Sequence, residues 1–108
     1  MDIRSFYGNE VFMFVVITYD VNTEDAPRRK RLRLVAKHCE KYGKRVQCSV
    51  FECEIDPSQL KLLQATLREI IDETKDSLRF YNLGNKYKTK IEHIGVNKGL
   101  TNDDILLL

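Results

Sequence analysis

Nowhere in this sequence do apolar residues run for the roughly 20 positions that a membrane-spanning helix needs; the longest stretch, Val11 to Ile17, falls far short. No membrane span is expected. Met1 to Glu10 carries two acids and lacks the basic start and apolar centre of a signal peptide, so a cytoplasmic chain is the expectation. The three cysteines, Cys39, Cys48 and Cys53, form no C-x-x-C pair, which argues against a zinc or redox motif and leaves them as buried free thiols. His38 and His93 stand far apart without zinc-site spacing and are expected to be structural or surface residues. Internal repeats and linkers are absent. At 108 residues the chain is one domain, and 43% apolar content is too high for disorder.

What is present begins with Val11 to Ile17 itself. Seven apolar residues bounded by a polar turn suit a central strand covered on both faces, and such a strand holds its C-terminal tip rigidly. Asp20 is that tip. A carboxylate there can grip a hard cation such as Mg²⁺ through oxygen, and the basic segment from Arg28 can hold phosphates near it. The formal net charge of +2 conceals an asymmetry: Glu24 to Arg45 holds nine basic residues against three acids, a local +6, which leaves −4 for the rest. Arg29, Arg33, Lys37 and Lys41 recur every four residues along one helix face, while Leu32, Val35, Cys39 and Tyr42 line another. The basic stripe faces solvent, either as a nucleic-acid contact or simply as a solvated helix face.

Breakers and caps order the remaining elements. Pro27 suits the first turn of a helix running to about Tyr42, where Gly43 stops it. Arg45 to Ile55 is β-rich and reads either as one bulged strand or as two short strands with a tight turn near Cys48-Ser49. Asp56-Pro57-Ser58-Gln59 opens a second helix with an N-cap acid, a first-turn proline and a glutamine three residues past the cap. Leu60, Leu63, Leu67, Ile70 and Ile71 form its apolar stripe, and it is expected to stop near Lys75 or Asp76. Strands are expected over Ser77 to Leu83 and Lys90 to Gly95. The terminal Ile105-Leu106-Leu107-Leu108 is expected to dock, against a partner subunit or back on its own sheet, because exposure forgoes about 1.5 to 3 kcal/mol per side chain.

The strand ending in Tyr19-Asp20-Val21-Asn22, the basic helix behind Pro27, the run Arg45-Val46-Gln47-Cys48-Ser49-Val50-Phe51-Glu52-Cys53 and the late Leu78-Arg79-Phe80-Tyr81 together resemble the Cas-two (Cas2) family of CRISPR-associated proteins. The resemblance spans about Phe12 to Gly95. It implies an α+β fold: a ferredoxin-like βαββαβ sandwich with an additional C-terminal strand that crosses to a twofold partner, hence a homodimer. The corresponding division is an N-terminal extension of unknown role at 1–10, the ferredoxin-like domain at 11–97 and a dimer-docking segment at 98–108. It also implies that two Asp20 carboxylates face each other across the dimer axis and share one Mg²⁺. Tyr19, Arg28, Arg29, Arg31, Arg45 and Phe51 correspond by position to residues associated with nuclease activity, the arginines as phosphate contacts. For Phe51 a core aromatic in the hairpin is an equal reading, and Tyr19 either touches substrate or packs beside the sheet. Arg33 and Lys37 join the nucleic-acid contacts through the basic stripe.

Two functions follow from the resemblance. One is a Mg²⁺-dependent endonuclease acting on single-stranded RNA or duplex DNA, with Asp20 as metal ligand and Tyr19 beside it. The other is a non-catalytic scaffold that bridges dimers of the Cas-one (Cas1) integrase while its basic helices lie along the DNA during spacer acquisition. A ribonuclease toxin of the same fold is a third, weaker reading. One carboxylate per chain is sparse for a metal nuclease, and no histidine is placed as general base, which weighs toward the scaffold.

Overall fold

The computed structural model describes residues 12–20 and 26–96. Strand β1 (Met13–Asp20) leads into helix α1 (Ala26–Cys39), hairpin strands β2 (Gly43–Gln47) and β3 (Val50–Ile55), helix α2 (Pro57–Ile70) and strand β4 (Ser77–Asn82). The sheet order is β2-β3-β1-β4 and every pairing is antiparallel, the ferredoxin-like βαββαβ arrangement. The ambiguity over Arg45 to Ile55 resolves as a hairpin turning at Cys48-Ser49, with a register shift between Arg45 and Gln47.

Alternation along β1 builds the core. Val15, Ile17 and Tyr19 point to one face and join Phe51, Cys53 and Ile55 of β3, while Leu32, Val35, Ala36 and Cys39 of α1 and Leu63 and Leu67 of α2 close over them. The other face of β1 is only partly covered: Phe14 lies under the Tyr87 ring at 4.7 Å between centroids, but Val16 and Thr18 are half-buried and Asp20 is exposed. The expectation of a strand covered on both faces is thus corrected. Its nearly unbroken apolar sequence reflects helices on one side and the chain's own tail on part of the other.

Helix α2 starts as the sequence dictates. Asp56 caps it, its carboxylate accepting from the Gln59 backbone N–H at 2.7 Å while the Gln59 side-chain oxygen accepts from the Asp56 N–H at 3.2 Å. The helix stops at Ile70, earlier than expected, because the next residues turn so that Asp76 can enter the protein interior (below). Lys90 to Gly95 does not form the expected strand; residues 91–96 are irregular and exposed and pair with no strand among the described residues. The apolar terminus Ile105 to Leu108, the dimer-docking segment 98–108 and the extension 1–10 lie outside the described residues. Cys39 and Cys53 are buried free thiols as expected, their ionisation pushed up by burial, whereas Cys48 sits half-buried in the hairpin turn. No helix among the described residues is long and apolar enough to cross a membrane.

Candidate functional site

Asp20 ends the central strand on the face away from the helices. Around it a shallow cavity of about 330 Å³ is lined by Thr18, Asp20, Ser49, Ser77, Arg79 and Tyr81, with part of Tyr19. Register explains this company. Asp20 pairs with Ser77 and Thr18 with Arg79 across the β1–β4 ladder, so alternation sends Asp20, Thr18, Ser77, Arg79 and Tyr81 to one side and Leu78 and Phe80 to the core. Ser49 arrives from the hairpin turn, where its carbonyl accepts from the Tyr19 N–H at 2.9 Å. Arg79 Nη1 donates to the Tyr81 hydroxyl at 3.3 Å, and that bond, together with the attraction of Asp20, raises the guanidinium's ionisation further above its ordinary value.

Tyr19, adjacent in sequence, turns the opposite way. It is 1% exposed and its hydroxyl donates to Asp76 Oδ2 at 2.6 Å. Burial, then that bond, pushes the Tyr19 hydroxyl up to about 12, so it is a permanent donor at neutral pH. The same Asp76 oxygen accepts from Arg31 Nε at 2.6 Å and from the Asp72 N–H at 3.0 Å, while Arg31 Nη2 donates to Oδ1 at 3.1 Å. Arg28 completes the group, its Nε 3.8 Å from Asp76 Oδ1 and its Nη2 donating to the Lys75 carbonyl at 3.3 Å. Burial alone would raise the Asp76 pKa, but the hydrogen bonds from Arg31, Tyr19 and Asp72 outweigh it and hold the carboxylate below its ordinary range.

The resemblance implies a nuclease role for Asp20, Tyr19, Arg28, Arg31, Arg45 and Phe51 together, and the structure divides them. Arg28 and Arg31 belong to a polar cluster around Asp76 on the helix side of the sheet, and so does the Tyr19 hydroxyl, although part of Tyr19 also borders the Asp20 cavity. Arg45, expected to touch phosphate, is 2% exposed: the guanidinium lies 5.4 Å from the Phe51 ring centroid, Nε donates to the Cys48 carbonyl at 2.7 Å, and Nη1 is 3.8 Å from a Glu40 carboxylate oxygen. Its pairing with Phe51, and the bulge that follows, turn it inward. Phe51 is wholly buried, the core reading. Neither side chain offers surface to a nucleic acid. Arg29, Lys30, Arg33 and Lys37 are exposed on α1, but α1 covers the sheet face opposite Asp20.

Asp76, Arg79, Tyr81, Ser49 and Ser77 carry no role in the sequence reading. The usable signal was the alternation in Ser77-Leu78-Arg79-Phe80-Tyr81: once Leu78 and Phe80 are assigned to the core, Ser77, Arg79 and Tyr81 must share the other face.

Mg²⁺ is a hard cation that takes oxygen ligands, often one or two carboxylates plus waters. Asp20 fits such a role: it is exposed, no hydrogen bond is committed to its carboxylate among the described residues, and hydroxyl groups surround it. No group of three or more His, Cys, Asp or Glu that could hold a metal exists among the described residues, and Asp20 is the carboxylate among those that line the cavity.

A four-stranded antiparallel sheet carrying two helices on one face, with the central strand ending in an outward carboxylate, makes this a ferredoxin-like α+β protein with its polar site on the open side of the sheet. The family model described as CRISPR associated protein Cas2 matches residues 13–91, and the chain belongs to that family. It is 56% identical over 95 residues to the CRISPR-associated endonuclease Cas2 of Halalkalibacterium halodurans, covering 88% of this chain and 99% of that protein. It is 46% identical over 102 residues to the CRISPR-associated endoribonuclease Cas2 of Nitratidesulfovibrio vulgaris, covering 94% and 99%. Among solved structures, Streptococcus pyogenes Cas2 superposes with a TM-score of 0.71 at 52% identity, covering 77% of this chain and all of that one.

Proposed function

We propose that this protein is a Mg²⁺-dependent endonuclease that hydrolyses phosphodiester bonds of single-stranded RNA or duplex DNA in CRISPR adaptive immunity, acting as a homodimer in which each chain contributes Asp20. The observation that carries the reading is the presentation of Asp20: a solvent-facing carboxylate fixed at the end of a strand paired on both sides. The names of the relatives, endonuclease and endoribonuclease, support it. Mg²⁺, when bound, supplies stabilisation of the negative charge that develops on the phosphate oxygens. Asp20 would hold it, with a second chain's Asp20 completing the carboxylate pair, on the rigid β1 ladder.

Asp20→Asn keeps the side chain's size and removes its charge. Cleavage of labelled single-stranded RNA and duplex DNA, each with Mg²⁺ and with chelator, is expected to be metal-dependent in the wild type and lost in Asp20→Asn. Equal cutting by both proteins would sink the reading.

One observation favours the scaffold alternative, in which the dimer bridges Cas-one integrase dimers and leaves chemistry to them: the exposed cations of α1 lie on the side of the sheet away from Asp20. That surface serves duplex binding without serving the carboxylate. The double variant Arg29→Ala with Arg33→Ala is expected to weaken duplex binding alike on all sequences and to flatten the log-log salt dependence by roughly 2, at about 0.9 per phosphate contact. Unchanged affinity would show that the duplex lies elsewhere.

A further inference from the structure

The helix arginines expected to position phosphate do not reach the Asp20 cavity, so the cavity needs another cation. We infer that Arg79 is the phosphate-holding residue of the Asp20 site and that Tyr81 braces it. The inference rests on the reading of Asp20 as the nuclease site and adds the residue that seats the phosphodiester there.

Four observations converge on Arg79. It lies on the same face of the sheet as Asp20 and lines the same cavity. It is exposed in the single chain. Its backbone is fixed by the pairing with Thr18 on the central strand, one step from the Asp20–Ser77 pair, which sets its spacing from the carboxylate by the ladder rather than by a loop. Finally, Nη1 is held by the Tyr81 hydroxyl at 3.3 Å, which limits the orientations of an otherwise flexible side chain. A phosphodiester is an anion with two non-bridging oxygens, and a guanidinium meets such a group with two parallel N–H donors. A carboxylate for the cation and a guanidinium for the phosphate, side by side on one rigid surface, form a site complementary to a metal-bound phosphodiester. The hydroxyls of Thr18, Ser49 and Ser77 around them supply further donors. Alone, Asp20 would repel the substrate it is meant to cut; Arg79 cancels that repulsion.

The test separates substrate holding from metal chemistry by measuring both on the full chain. Binding of labelled single-stranded RNA and duplex DNA in chelator, over a series of salt concentrations, is compared for wild type, Arg79→Ala, Arg79→Lys, Tyr81→Phe and Asp20→Asn, with thermal melting of each as the folding control. Arg79→Ala is expected to weaken binding about tenfold and to reduce the salt slope by close to one contact, roughly 0.9 for duplex or 0.7 for single strand. Arg79→Lys keeps the slope with part of the affinity lost, and Tyr81→Phe loses a few-fold in affinity at unchanged slope. In Mg²⁺, Arg79→Ala raises KM more than it lowers kcat. Wild-type affinity and slope in a folded Arg79→Ala protein would overturn the inference. The nuclease reading fails separately, if Asp20→Asn cuts like wild type, and the binding series still decides the role of Arg79.

Discussion

Replacing Asp76 with alanine is expected to cost about 3 kcal/mol of stability and to lower the melting temperature by roughly 15 °C, measurable by thermal and urea denaturation. The carboxylate is wholly shielded from solvent and accepts from Tyr19, Arg31 and the Asp72 backbone. Truncation leaves the buried Tyr19 hydroxyl and the Arg31 guanidinium without their acceptor and takes away the carboxylate beside Arg28, and stranding buried donors costs more than losing an ordinary contact. Asp76→Asn, which keeps size but not charge, should fall between. The pH dependence carries the same signature. Because the native carboxylate ionises below its ordinary range, its contribution is fully present above about pH 4 and is lost as pH falls through the native value. The acid limb of wild-type stability should therefore be flatter in Asp76→Asn. At the other end, Tyr19 is raised from 10.0 to about 12, so the stability tied to its neutral hydroxyl holds below pH 10 and drains away between those values. Tyr19→Phe should abolish that alkaline loss. If both limbs keep their wild-type shape in the variants, the cluster does not stabilise the fold.

Gly43→Ala should be nearly as damaging, for a steric reason. Gly43 starts β2 opposite Cys53, and a Cβ there would overlap the Glu52 carbonyl oxygen and sit 2.6 Å from the Cys53 Cα. These are backbone atoms of the facing strand, so no rotamer change relieves the clash; the hairpin must open at its end. A loss of at least about 2 kcal/mol is expected, at the upper range of overpacking. Deprotection of the Cys53 and Glu54 amides in hydrogen exchange would locate it. An alanine variant as stable as wild type would mean that the edge strand shifts freely.

The chain's local grammar was legible. The Asp56 cap with Pro57 and Gln59, the apolar stripe of α2 and the strand expected over Ser77 to Leu83 each depend on neighbours within a few positions; the cap is found where the sequence puts it, the strand runs one residue short, to Asn82, and the helix ends at Ile70 with Ile71 just beyond it. Asp20 was legible as a strand tip for the same reason. What sequence could not resolve was sidedness. Tyr19 and Asp20 are consecutive, which reads as one site, but the period-two geometry of a strand separates them by the thickness of the sheet. Arg45 reads as a surface cation until its pairing with Phe51 and the bulge beside it are known. Asp76 is one acid among many in a polar turn; only the fold carries it to Tyr19, 57 positions away.

That sidedness makes β1 a register gauge. Slipping the strand by one residue would swing Tyr19 out to water and carry Asp20 into the place where Tyr19 meets Asp76. Two carboxylates would then face each other in a space built for a phenol, while Val16 and Thr18 took the core positions of Val15 and Ile17. The misthreaded sheet is penalised twice, by charge and by lost packing, at the position that displays the outward carboxylate. The neighbour whose hydroxyl is turned away from the Asp20 cavity therefore proofreads the folding of the strand that forms it, and Asp20 is displayed only when Tyr19 is correctly seated.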